Sequence, residues 1–375
     1  MSRNLLKMAV GAAVLAMSLS SQAAGNNGVV VSVAPEKAAL GKSDDVVVKV
    51  TFTNTSGSPQ YVLKSHTPFD GVNAPVFDVT RDGQPVRYLG KIVKRAAPTA
   101  ADYYLLKPGA SYTVKVELSA LYDMATTGDY AVRYHAASAQ LFADGGSGAS
   151  ATAMSAGAGA RDSGRHGGEL QSDTASMWID GVRPRGSREE TMSLAEMQAA
   201  SGRVSAAGLS TTSCSASQQS TIASALSAAQ TYASNADAYM ARTTMGSRYT
   251  KWFGTVNSTR VSTIRSHYAN IKSTLATKPI NVNCGCSDTS YAYVYPNQPY
   301  TIYVCKAFWS APLTGTDSKA GTLVHETSHF TVVAGTDDWA YGQSAAANLA
   351  ISNPSQAIDN ADSHEYFSEN NPALN

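Results

Sequence analysis

The stretch GTLVHETSHFTVVAGTDDWAYG, from Gly321 to Gly342, decides the reading of this chain. It contains no proline, and Asp317 or Ser318 just ahead of it is a candidate N-cap, so a helix is expected through both histidines. On a helix, His325 and His329 are i,i+4 neighbours, and both imidazoles can reach one metal ion. Glu326 sits beside them, placed to hold a water rather than the metal itself. A catalytic zinc keeps three protein ligands and one open position. A third histidine in the metzincin pattern would need Gly at position 332 and His at position 335, but Val332 and Gly335 stand there. Gly335 can take the left-handed conformation that turns a chain back after a helix. That turn would return Asp337 or Asp338 toward the histidines. A distant carboxylate such as Glu365 is the other option, and spacing alone does not choose.

Working outward, 375 residues exceed one ordinary core and predict two domains with appendages. Lys and Arg total 29 against 28 Asp and Glu, which argues against a general nucleic-acid or anionic-membrane binder. Arg3 and Lys7 precede the apolar MAVGAAVLAMSL, and SSQAAG follows with small residues suited to cleavage. Residues 1–23 therefore read as a signal peptide, too short to span a bilayer. No later stretch is apolar enough to cross a membrane, and the mature protein is expected to be exported. Export gives the four cysteines their meaning: an even number in an oxidising compartment predicts two disulfides. The close pair Cys284 and Cys286 lacks the two-to-four-residue gap usual for zinc ligands.

Residues 24–183 carry a β pattern. VVVSVAP, DVVVKVTFTNTS, SYTVKVELS, DYAVRYH and TASMWIDG alternate or run in β-branched and aromatic residues between turn signals, which predicts an antiparallel, sandwich-like domain. The tract at 143–168 is glycine-, alanine- and serine-rich and is expected as a flexible surface insertion. A polar linker follows at 184–208. From 209 to 375 the pattern is α+β. A long alanine-rich helix carries Ile222, Leu226, Ala229 and Tyr232 on one face, TRVSTIRSHYANIKSTLA suggests another, and YAYVYPNQPYTIYVC reads as two strands about a Pro-Asn turn.

HETSHF followed by GTDDWAYG resembles the His-Glu-x-x-His plus Gly-Thr-x-Asp-x-x-Tyr-Gly signature of the deuterolysin-like zinc endopeptidases, the aspzincins, and within them the peptidyl-Lys metalloendopeptidase group. The resemblance runs from about Cys214 to Asn375 and includes AYVYPN, GTDSKAGTLVHE and NADSHEYFSENNPA. It implies a zincin-type catalytic domain holding one Zn²⁺ through His325, His329 and Asp338, with Asp337 at the variable position of the motif. Glu326 would be the general base, and Tyr341 would assist at the oxyanion. The disulfides it implies are Cys214–Cys284 and Cys286–Cys305.

In that group a lysine enters an acidic S1′ pocket, and the matching residues are Asp362 and Glu365. Their i,i+3 spacing on a helix would let both carboxylates meet one ammonium. The β region resembles the pro-regions of bacterial members in HTPFDGV, KIVKRAAPT and KPG, and so is expected to act as an intramolecular inhibitor. KIVKR, expected in a loop, offers Lys91 and Lys94 as candidates to fill the acidic pocket. No lysine lies between Lys115 and Lys251, so processing is expected near Arg203. The expectation is a secreted zinc endopeptidase made in latent form, acting on proteins or peptides on the N-terminal side of lysine. The alternative is a secreted binding or adhesion protein in which the β domain works and the zinc domain is structural.

Overall fold

The computed structural model describes residues 26–144, 164–181 and 208–375. The signal peptide expected at 1–23 and nearly all of the linker, Arg203 included, lie outside the described residues.

The N-terminal region is β-rich. Its strands are β1 (Val29–Pro35), β2 (Ala39–Leu40), β3 (Val47–Asn54), β4 (Gln60–Leu63), β5 (Phe77–Arg81), β6 (Gln84–Pro85), β7 (Ile92–Lys94), β8 (Tyr103–Leu106), β9 (Ser111–Glu117), β10 (Gly128–Ala143), β11 (Arg165–Gln171) and β12 (Ala175–Ile179). Period-two alternation sets the inward face of each long strand. In β3, Val48, Val50 and Phe52 are buried, while Thr51 and Thr53 face outward and bond Thr113 and Ser111 of β9, each at 2.8 Å. One antiparallel sheet has the order β1-β3-β9. A second is organised around the 16-residue β10, which pairs with β4, β5, β11 and β12. The inward residues of both sheets form one apolar core, with Phe52 edge-on to Tyr134 at 5.2 Å.

Two expectations need correction here. The tract at 143–168 is structured at both ends: Ala143 closes β10, and Arg165 to Gly168 belong to β11 in register with it. Glycine-rich segments lack apolar side chains, but ladder hydrogen bonds need only backbone. The rest of the tract, 145–163, lies outside the described residues. The second correction concerns KIVKR, which is strand rather than loop. Its partner is not in the N-terminal region at all.

The C-terminal region contains β13 (Ser210–Thr212), α1 (Ala216–Met240), α2 (Ser247–Phe253), α3 (Ser258–Thr277), β14 (Asn281–Asn283), β15 (Ala292–Val294), β16 (Thr301–Val304), α4 (Lys306–Ser310), α5 (Lys319–His329), α6 (Gln343–Ser352), α7 (Pro354–Ala357) and α8 (Ala361–Glu369). Helix α1 starts in a Ser215–Gln218 capping box and buries Ile222, Ala225, Leu226, Ala229, Ala233 and Ala236. That face is mostly alanine, so α3 and α5 can approach it closely. Disulfides join Cys214 to Cys284 and Cys286 to Cys305, fixing the start of α1 to the end of β14 and the following loop to the end of β16. The sheet order is β13-β14-β16-β15-β7. Its last member is the N-terminal strand Ile92–Lys94, paired antiparallel to β15. No helix among the described residues is long and apolar enough to cross a membrane.

Helices α3 and α8 meet at a histidine pair. His364 Nδ1 bonds the Asn360 carbonyl at 2.9 Å, and its Nε2 lies 3.0 Å from His267 Nδ1. Burial pushes His364 down to about 3 and His267 down to about 4. Because the folded values are depressed, the unfolded chain takes up these protons first as pH falls. Stability is therefore full above about pH 6.5 and declines toward pH 4, by up to about 1.4 kcal/mol per pH unit for each histidine. Thermal unfolding followed from pH 7 to 4.5 should show this decline, and His267→Gln should make it shallower.

Candidate active site

Helix α5 is buried along its whole length. Ser318 caps it, accepting from Gly321 N at 2.9 Å. Glu369 at the end of α8 holds the cap in place: its Oε1 accepts from Ser318 N at 2.9 Å and from Ser318 Oγ at 2.8 Å. This contact depends on Gly321, where a Cβ would lie 2.2 Å from Glu369 Oε1 and 3.0 Å from Glu365 Cγ. The two helices carrying the charged residues of the site thus meet across a glycine.

After α5 the chain reverses through Gly335, which has φ +64°. Thr336 then returns to the helix, its hydroxyl 2.7 Å from Ser328 Oγ and its carbonyl 2.6 Å from His329 Nδ1. A carbonyl only accepts, so His329 Nδ1 carries the hydrogen and Nε2 keeps its lone pair. The reversal brings Asp338, not Asp337, to the histidines. Asp337 is pinned by its backbone to Asp359 and Ala361, and it lines a cavity of about 600 Å³ between the two regions. Glu365 lies on the opposite side of His325, 3.2 Å from Nδ1.

Three donor atoms converge. His325 Nε2 lies 3.1 Å from His329 Nε2 and 3.3 Å from Asp338 Oδ1, and His329 Nε2 lies 3.5 Å from the same oxygen. Zinc bonds of about 2.0–2.1 Å would hold tetrahedral ligands about 3.3 Å apart, so the set fits that ion. Asp338 Oδ1 and both Glu326 carboxylate oxygens are buried without a hydrogen-bond partner, as expected around a cation and its water. Burial pushes Glu326 up to about 8 and His329 down to about 4. Burial also opposes ionisation of Asp338, but His329 and His325 hold it below the carboxylate range. Tyr341 donates to Asp338 Oδ2 at 3.1 Å, and burial keeps its phenol protonated well above its ordinary value.

Behind His325 is an acidic pocket. Asp362 Oδ1 lies 3.0 Å from His325 Nδ1, and Asp362 Oδ2 accepts from Gly342 N at 2.7 Å. Between Asp362 and Glu365 sits the ammonium of Lys94, from β7. Its Nζ is 2.5 Å from Glu365 Oε2, 3.4 Å from Asp362 Oδ1 and 5.0 Å from the centre of the Tyr291 ring. Burial disfavours the Lys94 charge, but Asp362 and Glu365 more than offset it and raise Lys94 well above its ordinary value. The carbonyl of Val93, one residue earlier, lies 3.2 Å from Tyr341 OH and shares its single hydrogen with Asp338 Oδ2.

Comparison with known proteins gives this geometry its context. Residues 238–369 match the aspzincin family described as lysine-specific metallo-endopeptidase. The chain is 45% identical over 339 residues to an extracellular protease of Aeromonas hydrophila, covering 89% of this chain and 91% of that one. The chain belongs to the aspzincin family. It is also 36% identical over 369 residues to a peptidyl-Lys metalloendopeptidase of Armillaria mellea, covering 92% and 95% of the two chains. A solved zinc peptidase from Grifola frondosa is 52% identical, covering 43% of this chain and all of that one, with a TM-score of 0.42. The protein is a zinc metalloendopeptidase of the peptidyl-Lys metalloendopeptidase type. The binding-protein alternative is set aside, because the match runs through both regions of a protein named as a protease.

Several aspzincin-site contacts escaped the sequence reading. Glu369 is four residues beyond Glu365, so a longer look along that helical face would have found it. Tyr291, and Gln140 whose Oε1 accepts from Tyr341 N at 3.1 Å, had no local signal. They matter only because distant segments meet.

Proposed function

We propose that this aspzincin is secreted as a latent zymogen and hydrolyses peptide bonds on the N-terminal side of lysine. In this reading 1–23 is the signal peptide, 24–183 a sandwich-like pro-domain, 184–208 the linker cut near Arg203, and 209–375 the catalytic domain. His325, His329 and Asp338 hold the zinc, Asp362 and Glu365 form the S1′ pocket, Glu326 is the general base, and Tyr341 is the oxyanion donor. When bound, the zinc lowers the pKa of a water and polarises the scissile carbonyl.

The observation that carries the reading is Lys94. Two buried carboxylates demand a cation, and the pro-domain supplies one while its Val93 carbonyl meets Tyr341. The register of β7 on β15 is that of an added substrate strand, with Lys94 opposite Ala292 and Val93 opposite Tyr293. With Val93 as P1 and Lys94 as P1′, Tyr341 donates to the oxygen that becomes the oxyanion. With a cation held beside it by His325, His329 and Asp338 favouring its ionised form, Glu326 would accept the proton of the attacking water and deliver it to the departing amine. The same contacts make Lys94 the inhibitory residue, because the segment fills the cleft that a substrate needs.

Cleavage-site mapping by mass spectrometry on a denatured protein mixture tests the specificity. Cuts before lysine that a chelator abolishes are expected, and Asp362→Asn should reduce the share of cuts before lysine. Chelator-sensitive cuts spread over other residues would remove the assigned roles of Asp362 and Glu365.

A further inference from the structure

We propose that the catalytic domain carries a second cation-reading subsite, the Tyr293–Tyr303 ring stack, which selects lysine or arginine at P3, three residues ahead of P1′. The inference rests on the substrate register proposed for β7 and extends it from one pocket to a two-point pattern, basic-x-x-Lys.

The register fixes the assignment. Lys94 pairs with Ala292, Val93 with Tyr293 and Ile92 with Val294, which puts Lys91 at P3. Successive side chains on a strand alternate in direction, so Ile92 and Lys94 point one way and Lys91 and Val93 the other. P1′ is therefore read in the interior, whereas P3 is read on the opposite face of the strand. There the Lys91 ammonium lies 5.0 Å from the centre of the Tyr293 ring. Tyr293 stacks on Tyr303 at 4.6 Å with 3° between planes. Tyr295 meets both edge-on, at 5.9 Å and 5.8 Å. Three mutually packed rings hold the π-face still, and a cation there replaces water with a negative quadrupole.

Burial and the Arg95 charge lower the Lys91 pKa, and the negative charge of Asp288 opposes them. Burial opposes ionisation of Asp288, but the Ser290 amide and the Lys91 charge hold its carboxyl below the ordinary value. Lys91 is half-buried, so the contact is partly desolvated, and its environment differs from that of a solvated surface lysine. The three rings of the platform, and Asp288, belong to the catalytic domain and leave with it when the pro-domain is shed.

The test is a matched peptide series with lysine at P1′ and lysine, arginine, norleucine or glutamate at P3, cleaved by enzyme matured from the full chain. Lysine and arginine at P3 should exceed norleucine by about 3- to 30-fold in kcat/KM, with glutamate lowest. Tyr293→Leu should compress that ratio toward one. So should Asp288→Asn, which keeps the oxygen that accepts from Ser290 N. A parallel series with lysine or alanine at P1′ separates the two readings. Equal rates for lysine and norleucine at P3, with the P1′ preference intact, would overturn the second subsite alone. Loss of the P1′ preference would overturn the register on which both depend.

Discussion

Replacing Glu326 with glutamine should lower kcat/KM on a lysyl peptide by about 10²- to 10⁴-fold, the usual worth of a positioned general base. Both carboxylate oxygens lie in the closed interior of the site without a protein partner, so no structural contact is lost on substitution. Glutamine keeps the shape and the dipole but cannot accept a proton at neutral pH. KM should change little, because Asp362, Glu365 and Tyr341, the proposed substrate contacts, are untouched. Kinetics paired with metal analysis make the experiment decisive. Full zinc content with lost turnover assigns the base to Glu326, whereas unchanged turnover would move that role elsewhere. Loss of zinc would instead mean that Glu326 supports the ligand set.

Lys94→Ala should release latency. The substitution removes the cation lying 2.5 Å from Glu365 and 3.4 Å from Asp362 and leaves the two buried carboxylates without their ammonium. Breaking a buried ion pair in this way costs about 3–5 kcal/mol. That is about a 10²- to 10⁴-fold shift toward the open cleft, at about 1.4 kcal/mol per factor of ten. The backbone pairing of β7 with β15 remains, so docking is weakened rather than abolished. The measurement is hydrolysis of a short lysyl peptide by the intact chain, with chain integrity followed by mass spectrometry. Lys107→Ala, at an exposed lysine outside the cleft, is the control. Full latency in Lys94→Ala would sink the inhibitory role of this lysine. A Lys94→Arg variant adds information on the pocket, since a planar guanidinium needs more room than a compact ammonium.

The catalytic elements were largely legible because their signals are local. The spacing of His325, Glu326 and His329 is set by one turn of helix, and Gly335 in the left-handed region follows from the lack of a side chain there. The alanine face of α1 and the strand pair Ala292–Val294 and Thr301–Val304 likewise follow from short-range periodicity. KIVKR was misread for the converse reason. Ile92 and Val93 favour a strand, but a run of two is too short to specify one, and the ladder that makes it comes from β15, about two hundred residues away.

By itself the sequence determined a β-rich region followed by an α+β one, the four cysteines that form two disulfides, and the helix that offers two imidazoles and a carboxylate to one point. Each of these is a property of composition or of neighbours within a few residues. Spacing left Asp337, Asp338 and Glu365 open as third ligands, and the resemblance named Asp338. Tertiary structure shows why: the return loop brings Asp338 to the Nε2 atoms while Glu365 faces Nδ1. It also decided that Lys94 rather than Lys91 enters the acidic pocket, because strand pairing fixes which side chains point inward. Pairing across domains has no signature in either partner alone, and electrostatic demand in a buried pocket exists only once the chain has closed around it.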